Sequence, residues 1–220
     1  LIINSPHNPS ATIWSAQDMQ TLQELLAPTD VLLISDEVYE HILFDGETHA
    51  SLCAHPQLAA RTLVVSSFGK TFHITGWKIG YVVGPAELMA EFRKVHQFNV
   101  FTVHGPSQLA LAEYMQDADR HLRLAAFYQE KRDFFGQLMA TTPFELLPCR
   151  GTYFQLASYQ RISDLSDREF AEWMTRKIGV AVIPVSAFYA NGRDDRVVRF
   201  CFAKQESTLI EAAARICKAL

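Results

Sequence analysis

Three short apolar runs, LII (1–3), VLLIS (31–35) and TLVVSS (62–67), recur at intervals of about 30 residues. That interval is the length of a strand, a crossover and the next parallel strand, so the first third of the chain predicts an α/β sheet. Between the first two runs, SAQDMQTLQELLAP places Ser15 as a candidate N-cap with Asp18 three residues later. Met19, Leu22, Leu25 and Leu26 share one face, and Pro28 closes the helix. IGYVVG (79–84) reads as another strand, and Pro85 opens a helix through PAELMAEFRKVHQF. Two more helices are expected at about 106–117 and 119–140.

The last part of the chain changes character. FELLP, GTYFQLA, VAVIPV and VVRFCFA are strand-like, and helices are predicted at about 166–178 and 206–219. The first of these has Ser166 and Glu169 in capping-box spacing and Gly179 just past its end. The expected organisation is a sheet domain over 1–118 and a smaller α+β domain over 119–220.

Composition removes several classes of function. With 49% hydrophobic residues the chain can bury a sizeable core. A formal charge of −4 and a pI near 6.1 provide no basic stripe for nucleic acid or for an anionic membrane surface. No apolar run approaches the roughly 20 residues that span a bilayer. Cys53, Cys149, Cys201 and Cys217 are widely spaced and form no C-x-x-C pair, which suits a reducing, cytoplasmic setting better than a disulfide scaffold. The eight histidines show no metal-binding spacing such as H-E-x-x-H. Small polar metabolites are the expected partners.

The chemistry concentrates at strand ends. In open parallel sheets ligands bind beyond the carboxyl ends of the strands. Here Asn4 and Asn8 follow the first strand, Asp36 and Tyr39 the second, and Ser67 and Lys70 the third. Lys70 lies in SSFGKTFHITGWK, where GKT hints at a phosphate loop, but G-x-x-x-x-G-K-[ST] needs glycine at the position held by Val64. Asn8 and Tyr39 offer hydrogen bonds, Asp36 a carboxylate and Lys70 an amine, while Ser67 and Lys78 suit an anion. A cofactor with a phenolic oxygen, a ring nitrogen, an aldehyde and a phosphate uses all of them, and pyridoxal phosphate has all four.

NSPHNPS, SDEVYEHILFDGETHASL, SSFGKTFHITGWKIGYVVGP and VVRFCFAK together resemble the successive signatures of the class I aminotransferases of fold type I, in the kynurenine/glutamine transaminase-like branch that includes bacterial methionine aminotransferases. The likeness runs over essentially the whole chain but covers only the later part of such an enzyme. The chain also opens inside an apolar run without an initiator methionine, so a C-terminal fragment is expected. The resemblance implies a fold type I architecture, with part of the large, mainly parallel sheet domain followed by the small C-terminal domain.

By this resemblance Lys70 forms the imine with pyridoxal 5'-phosphate and shuttles the substrate proton, roles that suit a nucleophilic amine. Asp36 pairs with the pyridine nitrogen. Tyr39 and Asn8 hydrogen-bond the phenolic oxygen, and Ser67 and Lys78 hold the phosphate, with Lys78 standing where aspartate aminotransferases carry arginine. Arg199 clamps the substrate carboxylate, with Asn8 beside it, and Phe101 lines the side-chain pocket of the second subunit of a homodimer. The implied reaction moves the amino group of an L-amino acid, with methionine or an aromatic residue favoured, to a 2-oxo acid. Two rival readings remain at this level: a cysteine-conjugate or cystathionine β-lyase using the same lysine, and a non-catalytic effector-binding domain of a transcription regulator.

Overall fold

The structure, a computed structural model, describes residues 1–220 and separates into two compact units. The first comprises Leu1–Pro6 and Ile13–Ala125; the second comprises His7–Thr12 and Ala126–Leu220.

The first unit is built on a four-stranded sheet, β1 (Ile2–Asn4), β2 (Leu33–Asp36), β3 (Thr62–Ser67) and β4 (Gly80–Val83), ordered β1-β2-β3-β4. The first two pairings are parallel, as the spacing of the apolar runs predicts, with Asn4 opposite Asp36 and Asp36 opposite Val65. Helix α1 (Ala16–Leu26) makes the first crossover, and its N-terminus carries the expected capping box between Ser15 and Asp18. Its Met19 and Leu22 pack with Ile3, Leu33, Leu52, Leu58 and Val64, so one apolar stripe of the helix closes one face of the sheet. The second crossover is irregular apart from a 3-10 turn at Leu52–Ala54 and the short α2 (Pro56–Ala59).

The pairing of β3 with β4 is antiparallel, with Ser67 opposite Gly80. The connection between them contains only the short α3 (Phe68–Thr71) and a 3-10 turn at Thr75–Trp77, too little to carry the chain back across the sheet, so it returns along the strand it has just left. Two glycines allow this tight return. A Cβ on Gly80 would lie 2.4 Å from the Ser66 carbonyl oxygen, and one on Gly69 would lie 2.9 Å from the Thr75 Cα.

Helices α4 (Ala86–Asn99), α5 (Gly105–Tyr114) and α6 (Asp119–Leu122) follow in the first unit. Pro85 is the N-cap of α4 rather than its first residue. The single helix expected at 119–140 is divided: α6 ends at Leu122, and α7 (Leu124–Met139), most of which belongs to the second unit, begins after Arg123. Leu122 stays 65% exposed, while Leu124, at the start of α7, is buried.

The second unit holds a second four-stranded sheet, β5 (Glu145–Leu146), β6 (Phe154–Ser158), β7 (Ile183–Pro184) and β8 (Val197–Cys201), ordered β5-β6-β8-β7 and antiparallel throughout. Helix α8 (Asp167–Trp173) starts with the expected Ser166–Glu169 capping box. It runs on as a π-helical segment, Met174–Ile178, that ends at Gly179 with φ +75°. Helix α9 (Glu206–Ala219) matches its expected span. The core is aromatic: Tyr159 stacks on Phe170 with centroids 3.8 Å apart, and Phe144 meets Phe200 edge-on at 5.4 Å.

Replacing Gly80 by Ala should destabilise the protein more than Ser166→Ala does, because a backbone oxygen cannot move aside as a side chain can. The cap loss is expected to cost about 1 kcal/mol. Urea unfolding of the two variants compares them directly.

Candidate active site

Parallel pairing brings the ends of β1, β2 and β3 to one edge of the first unit's sheet. Asp36 is the last residue of β2, and Ser67 is the last of β3. Lys70 stands in the turn of helix that begins one residue later. The antiparallel return then carries Lys78 back to this edge, two residues before Gly80, the partner of Ser67. Two contacts fasten the two ends of the connection together, Phe68 N–H donating to the Ile79 carbonyl at 3.2 Å and Ser67 Oγ donating to the same carbonyl at 3.4 Å, while Gly69 N–H caps the turn by donating to Ser67 Oγ at 3.1 Å. Lys70 is half-buried and Lys78 is exposed, with Lys78 held in the left-handed region at φ +56°.

The segment after β2 is a succession of turns. Asp36 Oδ1 accepts from Val38 N–H at 3.2 Å, Glu40 N–H donates to the Glu37 carbonyl, and Ile42 N–H donates to the Tyr39 carbonyl. Its root is pinned on both sides, since Ser5 N–H and Asn4 Nδ2 both donate to the Asp36 carbonyl and Glu37 N–H donates to Val65 of β3. Asn4 therefore serves the backbone. Tyr39 is almost fully enclosed, 3% exposed.

Glu37 and Glu40, which the sequence reading passed over, anchor this segment. Glu37 is 2% exposed, and its carboxylate accepts from Ser35 Oγ at 2.9 Å, Leu52 N–H at 3.2 Å and His49 Nε2 at 2.7 Å. Burial pushes its pKa up, but the hydrogen bond and charge of His49, with Ser51 and Ser35, outweigh that and hold it below the ordinary carboxylate value. Glu40 accepts from Ser66 Oγ at 3.1 Å and from the Tyr81 hydroxyl. Burial and this carboxylate push the Tyr81 phenol up to about 12. The mostly polar run SDEVYEH holds no local signal that singles out either acid, since their partners lie well beyond it in the chain.

The other candidates lie in the second unit. Arg199, in the middle of β8, donates from Nη1 to Asn8 Oδ1 and lies over the Phe154 ring with its guanidinium carbon 3.9 Å from the centroid. Phe188 flanks it at 5.4 Å. With its oxygen turned to Arg199, the Asn8 amide presents its nitrogen as the donor end, the polarity that an anionic phenolic oxygen requires. A guanidinium lying over one ring and flanked by another keeps a planar fork suited to bidentate recognition of a carboxylate. Phe101 lies just beyond α4, 78% exposed at φ +67°.

The donor set fits pyridoxal phosphate by its chemistry. One sheet edge holds a carboxylate suited to a ring nitrogen, an amine suited to an aldehyde, and a hydroxyl with a cation suited to a phosphate. The groups suited to a carboxylate and a phenolic oxygen, Arg199 and Asn8, are bonded to each other.

Residues 1–216 match the family described as aminotransferase class I and II. The chain is 50% identical to methionine aminotransferase of Escherichia coli, over 98% of this chain and 56% of the relative. It is 36% identical to kynurenine–oxoglutarate transaminase 3 of Mus musculus, over 100% of this chain and 52% of the relative. Among solved structures, one from Escherichia coli identified with a methionine aminotransferase function superposes with a TM-score of 0.95 at 50% identity, covering 99% of this chain and 58% of that one. Aspartate aminotransferase of Thermus thermophilus with maleate gives 0.87 at 26% identity, covering 100% and 56%. The chain thus spans about half the length of the curated relatives it matches.

Acid should destabilise the first unit in two stages. Burial lowers the pKa of His41 despite the nearby Glu40 carboxylate, and His121 and His49 add to the lowering. Its contribution is complete above the unfolded value of 6.5 and is lost as pH falls through the lower folded value. Glu37 is likewise depressed from 4.5, so its contribution is lost only below that pH. Urea midpoints between about pH 8 and about pH 3 should fall in both windows. Glu37→Gln should flatten the lower one and leave the upper one in place.

Proposed function

Because the chain belongs to the class I and II aminotransferases, a pyridoxal-phosphate-dependent family, we propose that it carries the catalytic lysine and the substrate-carboxylate clamp of a transaminase. The amino group of an L-amino acid, with methionine or an aromatic amino acid favoured, passes to a 2-oxo acid. The choice of donor is supported by the names of the relatives, a methionine aminotransferase and kynurenine transaminases. The observation that carries the reading is the gathering of Asp36, Ser67, Lys70 and Lys78 at one sheet edge.

When bound, pyridoxal phosphate supplies an aldehyde for the amino group and a ring that accepts electrons from the substrate α-carbon. The protein does the rest. Lys70 anchors the cofactor and moves a proton at Nζ, taking it from the α-carbon of the amino acid and returning it on the other side of the exchange. Asp36 keeps the ring nitrogen protonated, since a carboxylate beside it favours the charged form. Ser67 and Lys78 hold the phosphate, and Asn8 and Tyr39 donate to the phenolic oxygen. Arg199, lying over the Phe154 ring, binds the α-carboxylate.

The protein works as a homodimer in this proposal, with Phe101 lining the partner's pocket. Support comes from the exposed apolar side chains Val95, Phe98 and Phe101, which are 67%, 88% and 78% exposed. All four cysteines are free, which suits the cytoplasm, and no helix is long and apolar enough to cross a membrane.

Two variants test the reading in the intact protein supplied with pyridoxal phosphate. Lys70→Ala should abolish conversion of methionine to its 2-oxo acid and remove the site of borohydride labelling. Ordinary turnover in that variant would sink the assignment. Arg199→Lys keeps a charge but loses the planar fork, so kcat/KM for methionine should fall by about 2–5 kcal/mol of transition-state stabilisation while cofactor absorbance persists.

A further inference from the structure

Glu37 sits beside Asp36 in the chain but faces away from the sheet edge into the unit's interior, where it is 2% exposed. A carboxylate in that position is costly unless its oxygens are satisfied. Here they are satisfied from separate parts of the chain: Ser35 within β2, the His49 ring twelve residues on, and the Leu52 backbone at the start of a 3-10 turn, with Ser51 also contributing. The arrangement ties the segment that carries Asp36 and Tyr39 to the 49–52 segment. His49 depends on it in turn, since its Nε2 meets Glu37 while its Nδ1 is buried without a hydrogen-bond partner. The hydrogen bond to Glu37 therefore orients the ring.

The coupling to the candidate site is short. Asp36 Oδ1 is held by Val38 N–H, and the next turn closes from Glu40 N–H onto the Glu37 carbonyl, with Tyr39 between them. Asp36 and Tyr39 are thus both within two residues of one fixed point. If Glu37 loosens, the backbone that aims both side chains loosens with it.

We propose that Glu37 is a positioning residue for the cofactor, its carboxylate with His49, Ser35 and Leu52 N–H fixing the turn that presents Asp36 and Tyr39. The inference rests on the reading of this edge as a pyridoxal phosphate site. Neutral glutamine has nearly the same shape, but it offers one accepting oxygen where the carboxylate has two, and its NH2 then faces a donor. Support of this kind behind metal ligands is typically worth 10–100-fold in affinity, and about tenfold is the expected scale here.

The test uses the intact protein, stripped of cofactor and titrated with pyridoxal phosphate while the visible absorption band is followed. Glu37→Gln should weaken cofactor affinity about tenfold and move the pH at which the band changes. His49→Ala, which leaves the carboxylate in place but removes one arm, should shift both in the same direction by less, and His49→Gln, which restores a donor, should recover part of the loss. If Glu37→Gln lowers only the melting temperature, with affinity and band titration as in the wild type, the proposal is overturned and Glu37 is structural. Should Glu37→Gln fail to fold, His49→Ala decides: wild-type affinity and titration in that variant overturn the proposal. A wild-type protein that develops no band at all would overturn the proposed function as well, which separates the two failures.

Discussion

Parallel pairing of β1, β2 and β3 is the constraint on which the site depends. A parallel ladder forces every strand to end on the same side, so the residues that follow each strand are delivered together however far apart they lie in the chain. The antiparallel β4 adds a second delivery: by pairing Gly80 with Ser67 it brings the end of the 68–79 connection back to where it began. Had β4 been parallel, Lys78 would have left this edge for the opposite one. The glycines at 69 and 80 matter because they admit the close backbone approach that the return demands.

Buried carboxylates do similar work in both units. Glu37 in the first binds segments that no strand pairing connects. In the second unit Asp167, 1% exposed, accepts from the backbone N–H of Ser186 at 2.6 Å and from its hydroxyl at 2.7 Å, tying the start of α8 to the turn that carries Phe188. These contacts differ in kind from the surface ion pairs such as Arg176 with Glu172 or Arg215 with Glu211, whose members are largely exposed and contribute about 0–1 kcal/mol each. A buried carboxylate with satisfied oxygens fixes geometry, because moving away from any one donor exposes it to the cost of an unmet hydrogen bond.

What could be seen in the sequence was whatever is decided within one turn of helix or along one strand. Ser15 with Asp18, Ser166 with Glu169, and Gly179 each complete a local motif, and the structure has all of them. The division at Arg123, the π-helical Met174–Ile178 and the antiparallel direction of β4 were not legible, because no local motif marks them. At the candidate site the chemical identities of Lys70, Asp36 and Arg199 could be read from motifs. Their supports could not: His49 meets Glu37 across twelve residues, and Asn8 meets Arg199 across 191. Periodicity carries no record of pairings at such separations.

The left-handed backbone at Lys78 sets two demands against each other. At φ +56° and ψ +42° a residue with a Cβ is disfavoured by about 1 kcal/mol relative to glycine, and a lysine gives the backbone nothing in return. A screen that selected only for heat resistance would therefore drift towards glycine at 78 and discard a cation from the sheet edge without any sign of damage to the fold. With Lys78 in its proposed role as a phosphate ligand, thermal tolerance and anion affinity would move in opposite directions at this one position, and a library scored on both would reveal which of them has been kept.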